Sequence, residues 1–564
     1  LKSLMLLWQK MAEESAIRCC TSATRDYNYV MSRYKNEGFS FMTITLPSFG
    51  KDTEKCLDQE KVTRNLFQGF PWQAGLPRFL GGFLELVFDR ASGTLLDEPN
   101  IDAILAIRQL TLMFNKISLE SSDARKRKAM QGYIECEQEV RVSDASISDQ
   151  QWSDLHRIGN LLYASAFSKV DKSVYDGTLM PKHGPGSTAD GLRGNAKYRQ
   201  VTWPARLQKY FPVGDFLLPN YRYYDRLETV NLLEPEAEIP VKVITVPKTL
   251  KTPRIIAMEP TAVQYCQQAL ADSLLSAFKE DDNLRQMLGF KDQPVNQRMA
   301  REGSLSRKLA TLDLSEASDR VSNQHVRTIV SNFPHLHGAL DATRSRRADV
   351  PGHGVIRLAK YASMGSALCF PIEAMVFLSM IFLGIERELN GHLTRKDVKS
   401  FRGRVRVYGD DIIIPVDYVQ SVIAVLESFG IRVNRGKSFW NGKFRESCGG
   451  EYYDGHDVSI TRVRMVFPVS RTDASEVISL ISFRNQLYWA GYWETCRWLD
   501  EKIQKVIKYY PVVLPSSSVL GRESVLGFET QWAHEDLHIP LVKGYVVRAP
   551  LPQDILEGPD ALLK

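Results

Sequence analysis

Arg404-Val405-Arg406-Val407-Tyr408-Gly409-Asp410-Asp411-Ile412-Ile413-Ile414-Pro415-Val416 is the stretch whose reading decides the fold. Two short runs of β-branched and apolar residues flank a Gly-Asp-Asp, the pattern of a tight β-hairpin whose turn carries two adjacent carboxylates. Gly and Asp are ordinary turn formers, so the triplet alone specifies no chemistry. Two neighbouring anions nevertheless repel each other unless a cation neutralises them, and hard divalent ions such as Mg²⁺ take oxygen ligands of this kind.

Upstream, Leu309-Ala310-Thr311-Leu312-Asp313-Leu314 alternates as a strand, with Leu309, Thr311 and Asp313 on one face. Asp319 follows six positions later, and a helix is expected through Val326, Ile329 and Val330 before Pro334. Asp313 at a strand end is either a helix cap or a ligand. From Leu309 to Asn434 the order is strand, helix, helix, hairpin, helix, strand, which folds as a small antiparallel sheet backed by helices. Such a sheet sets Asp313 and Asp410 on neighbouring strands at one edge. That suits a two-metal site, where one ion activates a hydroxyl and the other holds a leaving pyrophosphate.

Three further stretches bear on this site. Lys248, Lys251 and Arg254 recur every third residue, but Pro247 and Pro253 make their backbone extended or looped, giving a rigid cationic loop fit for a triphosphate. Ser363-Met364-Gly365-Ser366 is a small-residue loop feeding a long apolar helix: Gly365 permits close backbone approach, and the serines offer hydroxyls to a sugar or base. Pro371 belongs in that helix's first turn. Ile431-Arg432-Val433-Asn434 is a further strand, and Lys437 lies beyond it with no sequence partner. Phe444–Gly449 leads into another strand or hairpin of no evident role.

Elsewhere the expectations are structural. Ile101, Ile104, Leu105 and Leu112 after Pro99 and Asn100 predict an amphipathic helix, and Arg125-Lys126-Arg127-Lys128 a solvated helix face. The Gly-rich stretch from Lys182 to Gly194 is a flexible loop or a backbone N–H cradle for phosphate. Asp473-Ala474-Ser475-Glu476 predicts a capping box that opens a helical region.

At 564 residues, 44% hydrophobic and 24% charged, the composition is that of a globular chain with several cores, not a disordered one. A net charge of +6 is small for this length, so a polyanion must be met by a local basic channel. Eight cysteines without a Cys-x-x-Cys pair, and ten histidines without zinc spacing, predict reduced thiols in a cytoplasm. Glu13 and Glu14 after Leu4–Trp8 speak against a secretory signal, and the absence of an initiating Met leaves the native start open. The apolar run Ala374–Ile385, bracketed by Glu373 and Glu386, is half a membrane span and predicts a buried helix, with no membrane partner.

Taken in order, Pro247–Arg254, Asp313–Asp319, Ser363–Gly365, Tyr408–Asp411, Lys437 and Phe444–Gly449 resemble the motifs of viral RNA-dependent RNA polymerases. More narrowly, Asp313-Leu-Ser-x-Ala-Ser-Asp319, Ser363-Met-Gly365, Tyr408-Gly-Asp-Asp-Ile-Ile413 and Phe444-Arg-Glu-Ser-Cys-Gly449 resemble the replicase catalytic subunits of single-stranded RNA bacteriophages of the levivirus type. Asn296-Gln297-Arg298 and Glu302-Gly303-Ser304 also fit that pattern.

The resemblance implies an α+β right-hand polymerase with fingers, palm and thumb, its antiparallel palm sheet backed by helices. The divisions would be 1–240 for the N-terminal and fingers region, 241–468 for the fingers-palm catalytic core and 469–564 for the thumb and C-terminal region. It implies that Asp313, Asp410 and Asp411 ligate two Mg²⁺ ions, with Mn²⁺ as a substitute, and that Lys248, Lys251 and Arg254 contact the triphosphate. Lys437 would protonate pyrophosphate, and Asp319 with Ser318, Ser363, Gly365 and Ser366 would bind the nucleotide and select its ribose. Ser366 and Pro371 stand where the best-known members carry Asn and Glu.

Implied partners are RNA template and product, NTPs, host elongation factors Tu and Ts and ribosomal protein S1, in the cytoplasm of a bacterial host. Rival readings are a reverse transcriptase, against which Gly409 and the Phe444–Gly449 match stand, and a catalytically silent RNA-binding palm-fold protein, which requires a broken site.

Overall fold

The computed structural model describes residues 2–550, 554 and 556–564, and its architecture is α+β. Helices α1 (Lys2–Arg18), α2 (Leu46–Gln59) and α3 (Ile101–Leu112) come first. Asn100 caps α3 by accepting the Ala103 N–H at 2.9 Å. Contrary to an amphipathic pattern, α3 is buried almost all round from Ala103 to Leu112, because its neighbours come from two distant parts of the chain. Trp8, Phe49 and Ile104 share one hydrophobic core with Phe444, Leu480 and Leu499, so the first and last thirds of the sequence make a single body.

Helix α4 (Asp123–Ser146) carries the Arg125–Lys128 run along its first turns, where Arg125 also donates to the Leu250 carbonyl at 2.9 Å. Helix α5 (Asp149–Tyr175) follows. In the Gly-rich stretch, read as a flexible loop or an anion cradle, the cradle is inverted. The Gly184 and Gly186 carbonyls accept from the buried Lys197 ammonium, so the loop is built around a cation.

Strands β1 (Val241–Val246) and β2 (Arg254–Met258) form an antiparallel hairpin whose 247–253 loop carries Lys248 and Lys251. Helices α6 (Thr261–Glu280) and α7 (Gln293–Ser306) lead to β3 (Leu309–Ser315), the short helix α8 (Ala317–Arg320) and α9 (Asn323–Val330). Strands β4 (Arg347–Val350) and β5 (Gly354–Arg357) extend the first hairpin into a sheet of order β2-β1-β4-β5.

The central sheet joins β3 to three later strands, β6 (Arg406–Tyr408), β7 (Asp411–Pro415) and β8 (Arg432–Val433), in the order β6-β7-β3-β8 with every pair antiparallel. Helices α10 (Cys369–Leu389) and α11 (Val419–Ser428) back it. Leu312, Ile412 and Ile414 are fully buried there, each contributing roughly 1.5–3 kcal/mol. Helix α10 is apolar on all sides and is buried without interruption from Pro371 to Glu386. By length and composition it is able to cross a membrane; 89% of its most apolar window is buried inside the protein. Pro371 occupies its first turn.

Beyond the sheet, β9 (Phe444–Ser447) and β10 (Gly450–Tyr453) pair as a hairpin, and α12 (Ala474–Trp489) and α13 (Trp493–Val506) complete the core shared with the N-terminus. The helix at Ala474 starts where Asp473 predicts, yet no capping box forms. The Asp473 carboxylate turns back to accept the Val469 and Ser470 N–H groups. All eight cysteines are free thiols.

Candidate active site

Gly409 and Asp410 alone make the turn between β6 and β7, since Tyr408 pairs with Asp411 across it. Gly409 sits at φ 60°, and a Cβ there would meet the Phe370 ring at 2.5 Å, so both backbone and space demand glycine. Only Asp410 is therefore a turn residue; Asp411 begins β7. Its register partner on β3 is Asp313, directly opposite. Directly opposed residues of an antiparallel pair project from the same face, so three carboxylates from segments a hundred residues apart share one edge.

Their electrostatics are those of crowded anions. Burial, then the Asp410 and Asp313 charges, push Asp411 up to about 6. Burial and Asp410 also raise Asp313, against the pull of Lys437 and Asn434. Asn434 Nδ2 donates to Asp313 Oδ2 at 2.7 Å, Lys437 Nζ lies 3.5 Å from Oδ1, and the Asp313 N–H donates to Ser438 Oγ at 3.1 Å. Burial draws the Lys437 proton off, but Asp313, Glu446 and Asp410 together more than offset it, and the ammonium is held above the usual lysine range.

Among the described residues no three His, Cys, Asp or Glu side chains close into a preformed cation cage. The donor set nonetheless fits a hard divalent ion. It consists of carboxylate oxygens only, and their mutual repulsion is the kind a cation relieves.

Lys248 stands over this edge from the β1–β2 loop. Burial lowers its affinity for a proton, Arg254 and Lys437 lower it further, and Asp410 and Asp313 oppose them. Lys248, Lys251 and Arg254 form no ion pair among the described residues. Lys248 and Arg254 thus bring positive charge together at this edge, and the anions acting on Lys248 are the site's own Asp410 and Asp313.

Asp319 is delivered by α8, which follows β3 and which Glu316 enters at φ 55°. Asp319 Oδ1 accepts Ser363 Oγ at 3.1 Å and Lys360 Nζ at 3.2 Å, so Asp319 and Ser363 are brought together. Burial raises the Cys369 thiol at the start of α10, and Ser318 opposes that rise. Gly365, at φ 127°, lies so close to β2 that a Cβ would sit 2.1 Å from the Ala257 carbonyl oxygen, while the Ala257 N–H donates to Met364 O at 2.9 Å. Ser366 corrects an expectation. Its hydroxyl donates to Gln267 Oε1 at 3.0 Å and accepts the Leu368 N–H, so it is committed inside the protein and not offered to a sugar.

Four residues near the site escape a sequence reading. Asn434 follows a strand with no sign that it faces Asp313, and Lys360 and Tyr133 become neighbours of Asp319 only by folding. Glu373, taken as the bracket of an apolar run, is a buried acid raised well above the carboxylate range by burial and by Asp410 and Asp319.

Phe444–Gly449 also acquires a place. Buried Arg445 donates to the Leu309, Gly442 and Phe444 carbonyls, and Gln297 of α7 donates to Cys448 O at 3.0 Å. Cys448 in turn opposes the rise that burial and Asp410 impose on Asp411. Helix α7 therefore holds the hairpin turn under the aspartates.

The family described as RNA replicase, beta-chain, matches residues 231–514, which contain every strand of the central sheet. The chain is 36% identical over 280 residues to the RNA-directed RNA polymerase subunit beta of Qbeta virus (strain MX1), covering 49% of this chain and 42% of that one. It is 35% identical over 216 residues to the RNA-directed RNA polymerase beta chain of Escherichia phage MS2, covering 38% and 36%. The chain thus spans less than half the length of the curated relatives it matches. Among solved structures it is similar to the BmCPV RNA-dependent RNA polymerase at elongation state, with TM-score 0.37 and 10% identity over 62% of this chain and 33% of that one. With half of its 564 residues matched, including the whole aspartate-bearing sheet, the chain belongs to the RNA replicase beta-chain family.

Proposed function

We propose that the chain is an RNA-directed RNA polymerase that copies a single-stranded RNA phage genome by transferring nucleotidyl groups from NTPs to an RNA 3′-hydroxyl. The observation that carries this reading is the direct pairing of Asp313 with Asp411, with Asp410 at the adjoining turn, opposite a loop of unpaired cations. Asp313, Asp410 and Asp411 would hold two Mg²⁺ ions, or Mn²⁺ in their place. Bound there, divalent ions supply the charge that acidifies the attacking hydroxyl and stabilises the leaving pyrophosphate.

The chain's own residues do the rest. Lys248, Lys251 and Arg254 bind the triphosphate and aim its α-phosphorus at the edge of the sheet. Lys437 keeps its proton beside Asp313 and delivers it from Nζ to the departing pyrophosphate oxygen. Asp319 and Ser363 face the ribose with Ser318 beside Asp319 on α8, and Gly365 keeps the Ser363 loop against β2. Ser366 acts through Gln267, on the shape of that loop.

In this reading the central sheet is the palm and the β1–β2 hairpin belongs to the fingers. The thumb, from about residue 469, is built on the core it shares with the N-terminus. Partners are RNA template and product, NTPs, and host elongation factors Tu and Ts with ribosomal protein S1, in the bacterial cytoplasm.

The test is labelled NTP incorporation on a short RNA primer–template with Mg²⁺ or Mn²⁺, with and without the host factors, for the chain and its Asp410→Ala variant. Template-dependent extension that vanishes in the variant is the expected result. Folded protein that binds RNA yet extends nothing under every condition overturns the reading.

A further inference from the structure

Lys360 has no exposed side-chain surface, and a buried ammonium is costly unless it is paired. Its partners are Asp319 Oδ1 at 3.2 Å, the Glu137 carboxylate at 3.8 Å and the face of the Tyr133 ring, whose centroid lies 3.7 Å from Nζ. Tyr133 and Glu137 stand one turn apart on α4, hence on one helix face. The segments bearing the ion pair are tied to each other directly. The Tyr361 N–H donates to Val321 O at 2.8 Å, and the Arg344 guanidinium donates to Lys360 O at 2.8 Å.

A second chain of bonds reaches the same oxygen. A carboxylate only accepts, so Ser363 must donate to Asp319 Oδ1 at 3.1 Å, and the Tyr133 hydroxyl must then donate to Ser363 Oγ across 3.0 Å. Oδ1 thus receives two donors whose own positions are fixed. Among the described residues Asp319 Oδ2 accepts no hydrogen bond, and about a fifth of the side-chain surface, 22%, stays open.

We propose that Lys360 and Tyr133 are positioning residues for sugar selection: they pin Asp319 through Oδ1 so that Oδ2 is left to accept the 2′-hydroxyl of an incoming ribonucleotide. The inference rests on the reading above that Asp319 faces the ribose of an NTP. A 2′-deoxy nucleotide then covers Oδ2 without giving it a donor, the kind of loss by which a site built for a hydroxyl rejects the analogue lacking it. Without the ammonium and the hydroxyl chain, the carboxylate turns freely and the distinction fades.

The experiment measures kcat/KM for an NTP and its 2′-deoxy analogue on one RNA primer–template, for the wild-type chain, Tyr133→Phe and Lys360→Met, with thermal melting of each. Tyr133→Phe should lower the NTP/dNTP ratio about fivefold, and Lys360→Met roughly thirtyfold, the loss falling on the NTP. Tyr133→Phe keeps the ring beneath the ammonium, so it tests the inference even where Lys360→Met does not fold.

A folded Tyr133→Phe protein with the wild-type ratio, or equal losses for both substrates, overturns the inference. So does a wild-type chain that extends RNA equally well with either sugar, which leaves the polymerase reading standing. A folded, RNA-binding wild-type chain that extends with neither, with or without the host factors, overturns the polymerase reading and this inference with it.

Discussion

At Asp319 a single carboxylate oxygen receives an ammonium and a hydroxyl, at 3.2 and 3.1 Å. At Asp313, Asp410 and Asp411, three carboxylates have one ion pair among the described residues, that of Lys437 with Asp313 at 3.5 Å. The first centre is neutralised from within and is left with one oxygen for a neutral hydrogen-bond donor. The second is left under-neutralised, and burial together with mutual repulsion raises Asp411 to about 6. Acids of one type thus serve two purposes, and the number of cations folded around them decides which.

The largest effect that would break this contrast is on the under-neutralised side. Asp410→Ala should lower nucleotide incorporation about a thousandfold. Divalent ion should raise the melting temperature of the wild-type chain and leave that of the variant unmoved; equal shifts in a thermal-melt titration would remove Asp410 from the cation site. Next, Lys437→Met removes the one ion pair and the proposed proton donor, and should slow incorporation about a hundredfold with little change in KM. Single-turnover kinetics at saturating NTP would show it, and an unchanged rate would leave Lys437 as a counter-charge alone.

A smaller effect sharpens the comparison through pH. In the folded chain Asp411 keeps its proton up to about pH 6, whereas its ordinary value is 3.8. Between these values the folded state binds more protons than the unfolded one, so stability falls as pH rises and the penalty is complete above about 6. With divalent ions chelated, denaturant titrations of Asp411→Asn should show that decline reduced by ~3 kcal/mol; parallel pH curves would mean the acids do not burden each other. Smallest is Ser366→Ala, expected to cost about 1 kcal/mol through its bond to Gln267 while the NTP/dNTP ratio stays as in the wild type. A changed ratio would move Ser366 to the ribose side.

The sequence by itself determined what rests on local order. Alternation in Leu309–Leu314 and Arg404–Val416 specified the strands and the turn, the prolines around Lys251 favoured an extended or looped backbone over a helix there, and the unbroken apolar run after Glu373 specified a buried helix. Each is a matter of periodicity or backbone restriction within a dozen residues, which a linear reading sees. Asp313, Asp410 and Asp411 were legible for the same reason, since acids that interrupt or end apolar strands stand out.

Only the tertiary structure decided which distant groups meet. Arg108 of α3 pairs with Glu54 of α2 and with Glu451 of β10 at 3.0 Å each, joining the N-terminal helices to the hairpin beneath Asp411. Lys360 and Tyr133 meet at Asp319, Asn434 turns to Asp313, and Ser366 spends its hydroxyl on Gln267. A hydrogen bond or a buried ion pair depends on the position of its partner to within a few tenths of an ångström. That partner lies dozens to hundreds of residues away in the chain, so neither composition nor spacing announces it.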